Sequence, residues 1–284
     1  MSSADASFVF LDGFLQKFKD LSFSNRPKVS KICRFLDFHR KDLALKAFLD
    51  TKESVKPFTL PAEWSEKVKK KIENAADSTC IVIVGKCTIG MQEIQRLQPG
   101  NWLNDQIVDG YLFLIGEASK GTVHAFNCFF WQKVQRGDRA GLAAYTRRWK
   151  VKVWEKQLLL FPIAIANTHW ALCAVDVSRK SIAYYDSLVA GGKGCRIPRL
   201  FENVMHFLQA EAVECAVEMR AEEWEFQPAT SELPQQHNGN DCGVFLCVFA
   251  AYLAKKKKFD FGQQQMAYFR QKITFELLHC VLVE

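Results

Sequence analysis

Residues Val244–Ala254 form an uninterrupted apolar run of eleven, and no other feature restricts the folding of this chain so strongly. The run is well short of the roughly 20 residues that cross a bilayer, so protein must cover it on every side. Upstream lie the turn-forming pair Asn238-Gly239 and a candidate N-cap, Asn240 or Asp241. These predict a buried helix that opens at Cys242 and runs through Ala254. Other layers must surround such a helix, and the rest of the sequence supplies them.

Leu158–Ala166, Trp170–Val177 and Ser181–Asp186 are rich in β-branched and aromatic residues and read as three consecutive strands. Asp176–Lys180 reads as the hairpin turn between the second and third. Cys80–Val84 reads as a further short strand. Helical spacing places Ile107, Val108, Tyr111, Leu112 and Ile115 on one face of Trp102–Ala118. Asn203–Val217 reads as another helix, Glu63–Asn74 as a charged one. A final amphipathic helix carries Met266, Phe269, Ile273, Leu277 and Val281. The sum is an α+β domain in which helices flank a central, mostly antiparallel sheet. Pro57 and Pro61 bracket a boundary. Residues 1–56 read as an N-terminal extension with helical spacing at Phe14–Leu21 and Leu43–Leu49, and 57–284 as the main domain.

Ten cysteines occur without a CxxC pair, so neither a zinc site nor any other cofactor is expected. Cys173 and Cys247 sit inside apolar runs, where cysteine behaves as a small hydrophobe. Met1–Ser7 lacks a basic n-region, and Asp12 and Gly13 break the apolar patch behind it. The expected compartment is therefore intracellular and reducing, nucleus or cytoplasm. The formal net charge of +7 suits an acidic partner, whether protein, nucleic acid or membrane surface. Lys255–Lys258 directly follow the buried helix, where cations favour the dipole.

Cys242 is the residue most open to a chemical reading. At a helix start its sulfur faces unpaired N–H groups and the positive end of the dipole, which stabilise a thiolate. Gly243 removes bulk beside the sulfur, where a substrate backbone could approach. The bland reading is one more cysteine opening a core helix. A nucleophilic cysteine needs an imidazole base, itself oriented by a third group. His169 stands at the mouth of one strand and Asp186 at the end of the next, so a hairpin makes them neighbours. The alternative is an incidental polar pair at the hairpin's open end. His237 is nearer to Cys242 in sequence but has nothing beside it to orient it. A side-chain amide from Gln236, or equally by position from Gln235, can complete an oxyanion hole with the Cys242 N–H.

The segment Pro234-Gln-Gln-His-Asn-Gly-Asn-Asp-Cys-Gly243 resembles the nucleophile motif of the SUMO-specific, sentrin-type cysteine proteases. Asn101-Trp-Leu-Asn-Asp-Gln106, Phe126–Phe130 with Arg147-Arg-Trp149, and Thr168-His-Trp-Ala171 with Tyr184-Tyr-Asp-Ser187 resemble further family segments in the right order. Tyr268-Phe-Arg and Glu276-Leu-Leu-His279 resemble the closing helix. The resemblance runs from about residue 57 to the end. It implies an adenain-like, papain-like cysteine protease fold with the nucleophile on a buried helix. It also implies Cys242 as nucleophile, His169 as base and then acid, Asp186 as orienter and Gln236, rather than Gln235, as oxyanion donor. Trp102 and Trp170 match an aromatic pair that closes a narrow channel over a Gly-Gly tail, and Asp105 an acid that meets a substrate arginine. As ordinary features, these would be two core tryptophans and a first-turn acid.

The implied activity is cleavage after the C-terminal Gly-Gly of SUMO, in precursor maturation and in isopeptide deconjugation. The partners are SUMO or SUMO-conjugated proteins, with a monomeric enzyme, no nucleic acid required and no membrane span. The competing readings are the same chemistry on ubiquitin or the neddylation modifier, an acyltransferase, and a SUMO-binding module without catalysis.

Overall fold

The computed structural model describes residues 58, 60–74, 80–189 and 193–283. The helices expected at Phe14–Leu21 and Leu43–Leu49 lie outside these residues. The chain divides into two units between Pro57 and Phe58, and the described residues all belong to the second.

It begins with α1 (Ala62–Glu73), a charged helix that buries none of its residues. Its Trp64 stacks on Phe275 with ring centroids 4.3 Å apart. A hairpin of β1 (Val82–Val84) and β2 (Cys87–Ile89) follows, where the sequence predicts a single strand. It turns at Gly85, whose φ is +61°, and a Cβ there would meet the Phe113 ring at 2.8 Å. Next come α2 (Met91–Arg96) and α3 (Asp105–Ala118). The helical pattern extends back to Trp102, but the helix starts at Asp105. Asn104 caps it by accepting the Ile107 N–H at 3.2 Å, which leaves Trp102 and Leu103 in the lead-in.

The chain continues through β3 (Val123–Ala125), α4 (Cys128–Arg136) and α5 (Arg139–Arg148). The strands β4 (Leu158–Ile165), β5 (His169–Asp176) and β6 (Ser181–Tyr185) each agree with expectation to within a residue or so. Short β7 (Lys193–Gly194) leads to α6 (Leu200–Glu214), then β8 (Glu225–Gln227) and β9 (Ala229–Thr230). Last come α7 (Cys242–Ala254) and α8 (Met266–His279).

The central sheet has the order β3-β4-β5-β6-β8. Its middle, β4-β5-β6, is antiparallel, whereas both outer pairings are parallel. The expected mostly antiparallel sheet is therefore a mixed sheet flanked by helices. Alternation along the strands feeds two cores. Leu160, Leu172 and Ala174 face α3, α7 and α8; Leu159, Phe161, Ile163, Cys173, Val175 and Tyr184 pack with α4 and α6. Residues 242 to 250 of α7 are all buried, between β5 on one side and α3 and α8 on the other. Among the described residues no helix is long and apolar enough to cross a membrane.

The last helix is not amphipathic. Arg270, Thr274 and Glu276 are buried beside Met266, Phe269, Ile273 and Leu277, because their polar groups find internal partners. Glu276 accepts from the Tyr111 hydroxyl at 2.8 Å and pairs with Lys272 at 2.9 Å. The helix stops at His279, so Val281 lies beyond it.

The β4–β5 hairpin reverses through Ala166 and Asn167, both left-handed at φ 49° and 55°. The Thr168 N–H closes the turn on the Ile165 carbonyl at 3.0 Å. This backbone costs an alanine about 1 kcal/mol, whereas asparagine tolerates it. Ala166→Asn is expected to stabilise the domain by ~0.5–1 kcal/mol in urea denaturation, and the β-branched Ala166→Val to destabilise it.

Candidate active site

His169 opens β5 and Asp186 follows directly on β6. The β5–β6 pairing ends at Leu172↔Tyr185, so the two residues are diagonal rather than direct cross-strand neighbours, a spacing that longer side chains bridge. His169 Nε2 lies 2.7 Å from Asp186 Oδ1. That carboxylate is only 1% exposed, yet every edge of it is occupied. Oδ1 also accepts the Leu188 N–H at 2.8 Å, and Oδ2 accepts the Tyr184 hydroxyl at 2.9 Å and pairs with Arg196 Nε at 3.2 Å. Burial pushes the Asp186 carboxyl up, but the bonds from His169, Leu188 and Tyr184 outweigh it and hold the group below its usual range.

With Nε2 committed to Asp186, Nδ1 is the ring nitrogen left for Cys242, whose side chain lies near enough to strengthen the hold of His169 on its proton. Burial by itself lowers the affinity of His169 for its proton. The hydrogen bonds to Asp186 and Cys242, and their charges, more than reverse this and raise its pKa to about 9. An imidazolium held between a carboxylate and a sulfur is suited to pair with a thiolate and later to deliver a proton.

Cys242 is the first residue of α7 and is 4% exposed. The turn before it is wound around Asn238, whose Oδ1 accepts the N–H groups of Asn240 and Asp241 at 3.2 Å. Gly243 has a different purpose from the one its position suggests. A Cβ there would lie 2.9 Å from that of Leu103, so the glycine admits a packed neighbour rather than a substrate. Burial drives Cys173 and Cys247 far above the ordinary thiol range and Cys87 up to about 12, which leaves them inert.

Gln236 is buried beside this turn. Its Oε1 accepts the Ser187 hydroxyl at 3.1 Å and its backbone N–H donates to the Ser187 carbonyl at 2.7 Å. The residue after the orienting carboxylate thus anchors the amide. One Nε2 hydrogen goes to the Asn238 carbonyl; the other has no protein acceptor among the described residues. Gln235 instead braces its own loop, accepting the Val189 N–H and donating to the Leu233 carbonyl, each at 3.0 Å.

Trp102, 45% exposed, donates its indole N–H to the Gly239 carbonyl at 2.8 Å, so its ring stands against the nucleophile turn. Trp170, half-buried next to His169, donates to the Leu103 carbonyl at 3.0 Å. One indole is thus fixed to the nucleophile turn and the other to the lead-in to α3, the stretch that carries Trp102 itself. Asp105 is the first residue of α3 and half-buried, and no ion pair engages it among the described residues. His237 is exposed, its backbone N–H held by Gln263 at 2.8 Å. The buried Nε2 of His124 has no hydrogen-bond partner among the described residues.

Sequence reasoning overlooked Arg196 and Arg270. Arg270 stood in the quoted closing-helix segment, but a lone arginine in a helical pattern gives no sign of being buried. Arg196 lies in an irregular stretch whose path only the fold defines. No group of three or more His, Cys, Asp or Glu side chains among the described residues could hold a metal ion.

Residues 101–282 match the model of the Ulp1 protease family, C-terminal catalytic domain. The chain is similar to sentrin-specific protease 2 of Mus musculus, 34% identical over 227 residues that cover 76% of this chain and 37% of that protein. It is equally similar to sentrin-specific protease 5 of Homo sapiens, 34% identical over 203 residues covering 72% of this chain and 26% of that one. It therefore spans about a third of the length of these relatives. Among solved structures, the C-terminal Ulp1 protease domain in complex with Smt3, the yeast ortholog of SUMO, superposes with a TM-score of 0.66 at 25% identity, covering 80% of this chain and 98% of that one. The catalytic domain of a Chaetomium thermophilum Ulp1-like SUMO protease shares the fold at TM-score 0.66 and 24% identity, covering 82% of this chain and 94% of that one.

Two results are expected of this geometry. A histidine whose pKa rises from 6.5 to about 9 on folding contributes stability that is complete below pH 6.5 and lost as pH climbs through 9. Wild-type stability should decline over that window in urea titrations at stepped pH, and His169→Gln should flatten the decline. Gly243→Ala, which forces Leu103 to move, should destabilise the domain by ~1–3 kcal/mol, measured in the same way.

Proposed function

The chain belongs to the Ulp1 protease family, and from that premise we propose that it is a cysteine protease cleaving after the C-terminal Gly-Gly of SUMO. The observation that carries the reading is His169 set between Asp186, 2.7 Å from its Nε2, and Cys242 at the start of a buried helix.

In this reading the Cys242 thiolate, paired with the His169 imidazolium, attacks the carbonyl carbon of the last glycine and forms a C–S bond. The carbonyl oxygen becomes an oxyanion that accepts hydrogen bonds from the uncommitted Nε2 hydrogen of Gln236 and from the Cys242 N–H. As the intermediate collapses, the C–N bond breaks and His169 gives its proton to the departing amine. The product is a thioester. Water then attacks it while His169 takes the water's proton, and the thiolate leaves from a free glycine carboxylate. A peptide tail as leaving group makes this precursor maturation; a lysine ε-amine makes it deconjugation.

The Gly-Gly requirement rests on the indoles. Trp102, tied to Gly239, and Trp170, tied to Leu103, are in this reading the walls of a slot suited to a backbone without Cβ atoms. Asp105, which has no ion-pair partner among the described residues, is suited to a substrate arginine. The net charge of +7 favours steering of an acidic modifier. SUMO as that modifier, over ubiquitin or the neddylation modifier, is supported by the relatives' likeness and by the SUMO-ortholog complex of the similar solved domain. The enzyme acts as a monomer on SUMO or SUMO-conjugated proteins.

The decisive experiment offers SUMO, ubiquitin and the neddylation modifier, each with a C-terminal electrophile, to wild type and to Cys242→Ala. A covalent adduct with SUMO alone, absent from the variant, is expected. Reaction with a different modifier only, or with none, would refute the proposal. Gln236→Ala should lower kcat on a SUMO substrate by roughly 100- to 1,000-fold, with a smaller change in KM.

A further inference from the structure

Asp241 immediately precedes Cys242, and its side chain is buried. An aspartate at the N-cap position ordinarily turns its carboxylate onto the N–H groups of the first helical turn, which steadies the helix. Here the side chain caps nothing. Its Oδ1 receives Nε and Nη2 of Arg270 at 2.9 and 2.7 Å. Its Oδ2 receives Nδ2 of Asn238 at 2.6 Å and Nε2 of Gln263 at 2.7 Å. Four donors from three directions hold the carboxylate away from α7.

Arg270 is 2% exposed, and its remaining bonds go to backbone carbonyls. Nη1 reaches Arg96 and Gln98, both at 3.1 Å. Nη2 reaches Asn101 at 2.8 Å and Asn240 at 3.1 Å. One guanidinium therefore grips the residue before Trp102 and the turn before Cys242 together. Those two segments carry Trp102 and lead into Cys242.

We infer that Arg270 is a positioning residue for Cys242: it draws the Asp241 carboxylate off the first turn of α7, cancels its charge, and sets the separation between the Trp102 segment and the nucleophile turn. The inference rests on Cys242 being the nucleophile. The positive end of a helix can favour only as much anion as reaches it. A carboxylate capping that end would take the place meant for the thiolate and the oxyanion, and would repel both. The charged groups around Cys242 are His169 from β5 with Asp186 behind it, and the Asp241–Arg270 pair from the turn and α8. Removing the Asp241 charge leaves the Arg270 cation unbalanced beside the thiolate. Lysine at 270 keeps a charge but, as a single point donor, cannot bridge Asp241, Asn101 and Asn240 at once.

The test uses the full chain with Asp241→Asn and Arg270→Lys, each checked for folding by thermal melting. Alkylation of Cys242 by iodoacetamide is followed against pH at the Cys242 peptide by mass spectrometry, alongside kcat and KM on a SUMO substrate. Asp241→Asn is expected to move the alkylation curve to lower pH by about one unit. Arg270→Lys is expected to leave that curve near wild type while kcat falls ~10- to 100-fold. An unmoved curve in folded Asp241→Asn, or an undiminished kcat in folded Arg270→Lys, would make the pair a structural tie and overturn the inference. A wild-type chain inert towards SUMO would defeat the proteolytic reading instead, and the alkylation curves would still decide the role of Arg270.

Discussion

The helix Cys242–Ala254 has no polar face, so it can exist in water only where other elements enclose it. Most of the architecture answers to that need. The sheet lies on one side of it, α3 and α8 on the other, and strand alternation leaves the far face of the sheet to a second core under α4 and α6. Enclosure also creates the site. A helix buried along its length still has a first turn, and the unpaired N–H groups there have to meet something. Here that first turn carries Cys242 beside His169, which opens a strand of the sheet.

Two buried carboxylates lie close to the nucleophile, and each is held by several donors. Asp186 is oriented by Tyr184, Leu188 and Arg196, and passes that orientation to His169. Asp241 is held by Arg270, Asn238 and Gln263. A buried charge without partners is costly, and one with a full set of donors is rigid. The negative groups are thus both satisfied and directed, one towards the imidazole and the other away from the sulfur. Their donors come from β6, the segments after β6 and β7, the turn before α7, the link between α7 and α8, and α8 itself. The site therefore exists only once the sheet and the two last helices have come together.

The parts legible in the sequence were those with strong local patterns. The strands β4, β5 and β6 declare themselves by β-branched and aromatic runs, and the apolar run behind Cys242 can only be a buried helix. Departures occurred where a side chain overrode the pattern. Asn104 caps α3 three residues later than the apolar spacing implies. On α8, Arg270 and Glu276 look like a solvated face but are buried, because their partners come from residues 111 and 241, far away in the chain. Gly243 reads as clearance for a substrate, but in the fold the space belongs to Leu103.

What the sequence determined by itself was therefore the reactive inventory and the local frame: a cysteine at a helix start, a histidine and an aspartate on successive strands, and glutamines six and seven residues before the cysteine. These follow from short-range rules of turn, cap and alternation. Only the tertiary structure decided which nitrogen of His169 faces which partner, which of the two glutamines has an amide hydrogen free beside the turn, and where the Asp241 charge points. Each of those depends on donors more than a dozen residues away, and a pattern of neighbours along the chain carries no information about groups that meet only when distant segments pack.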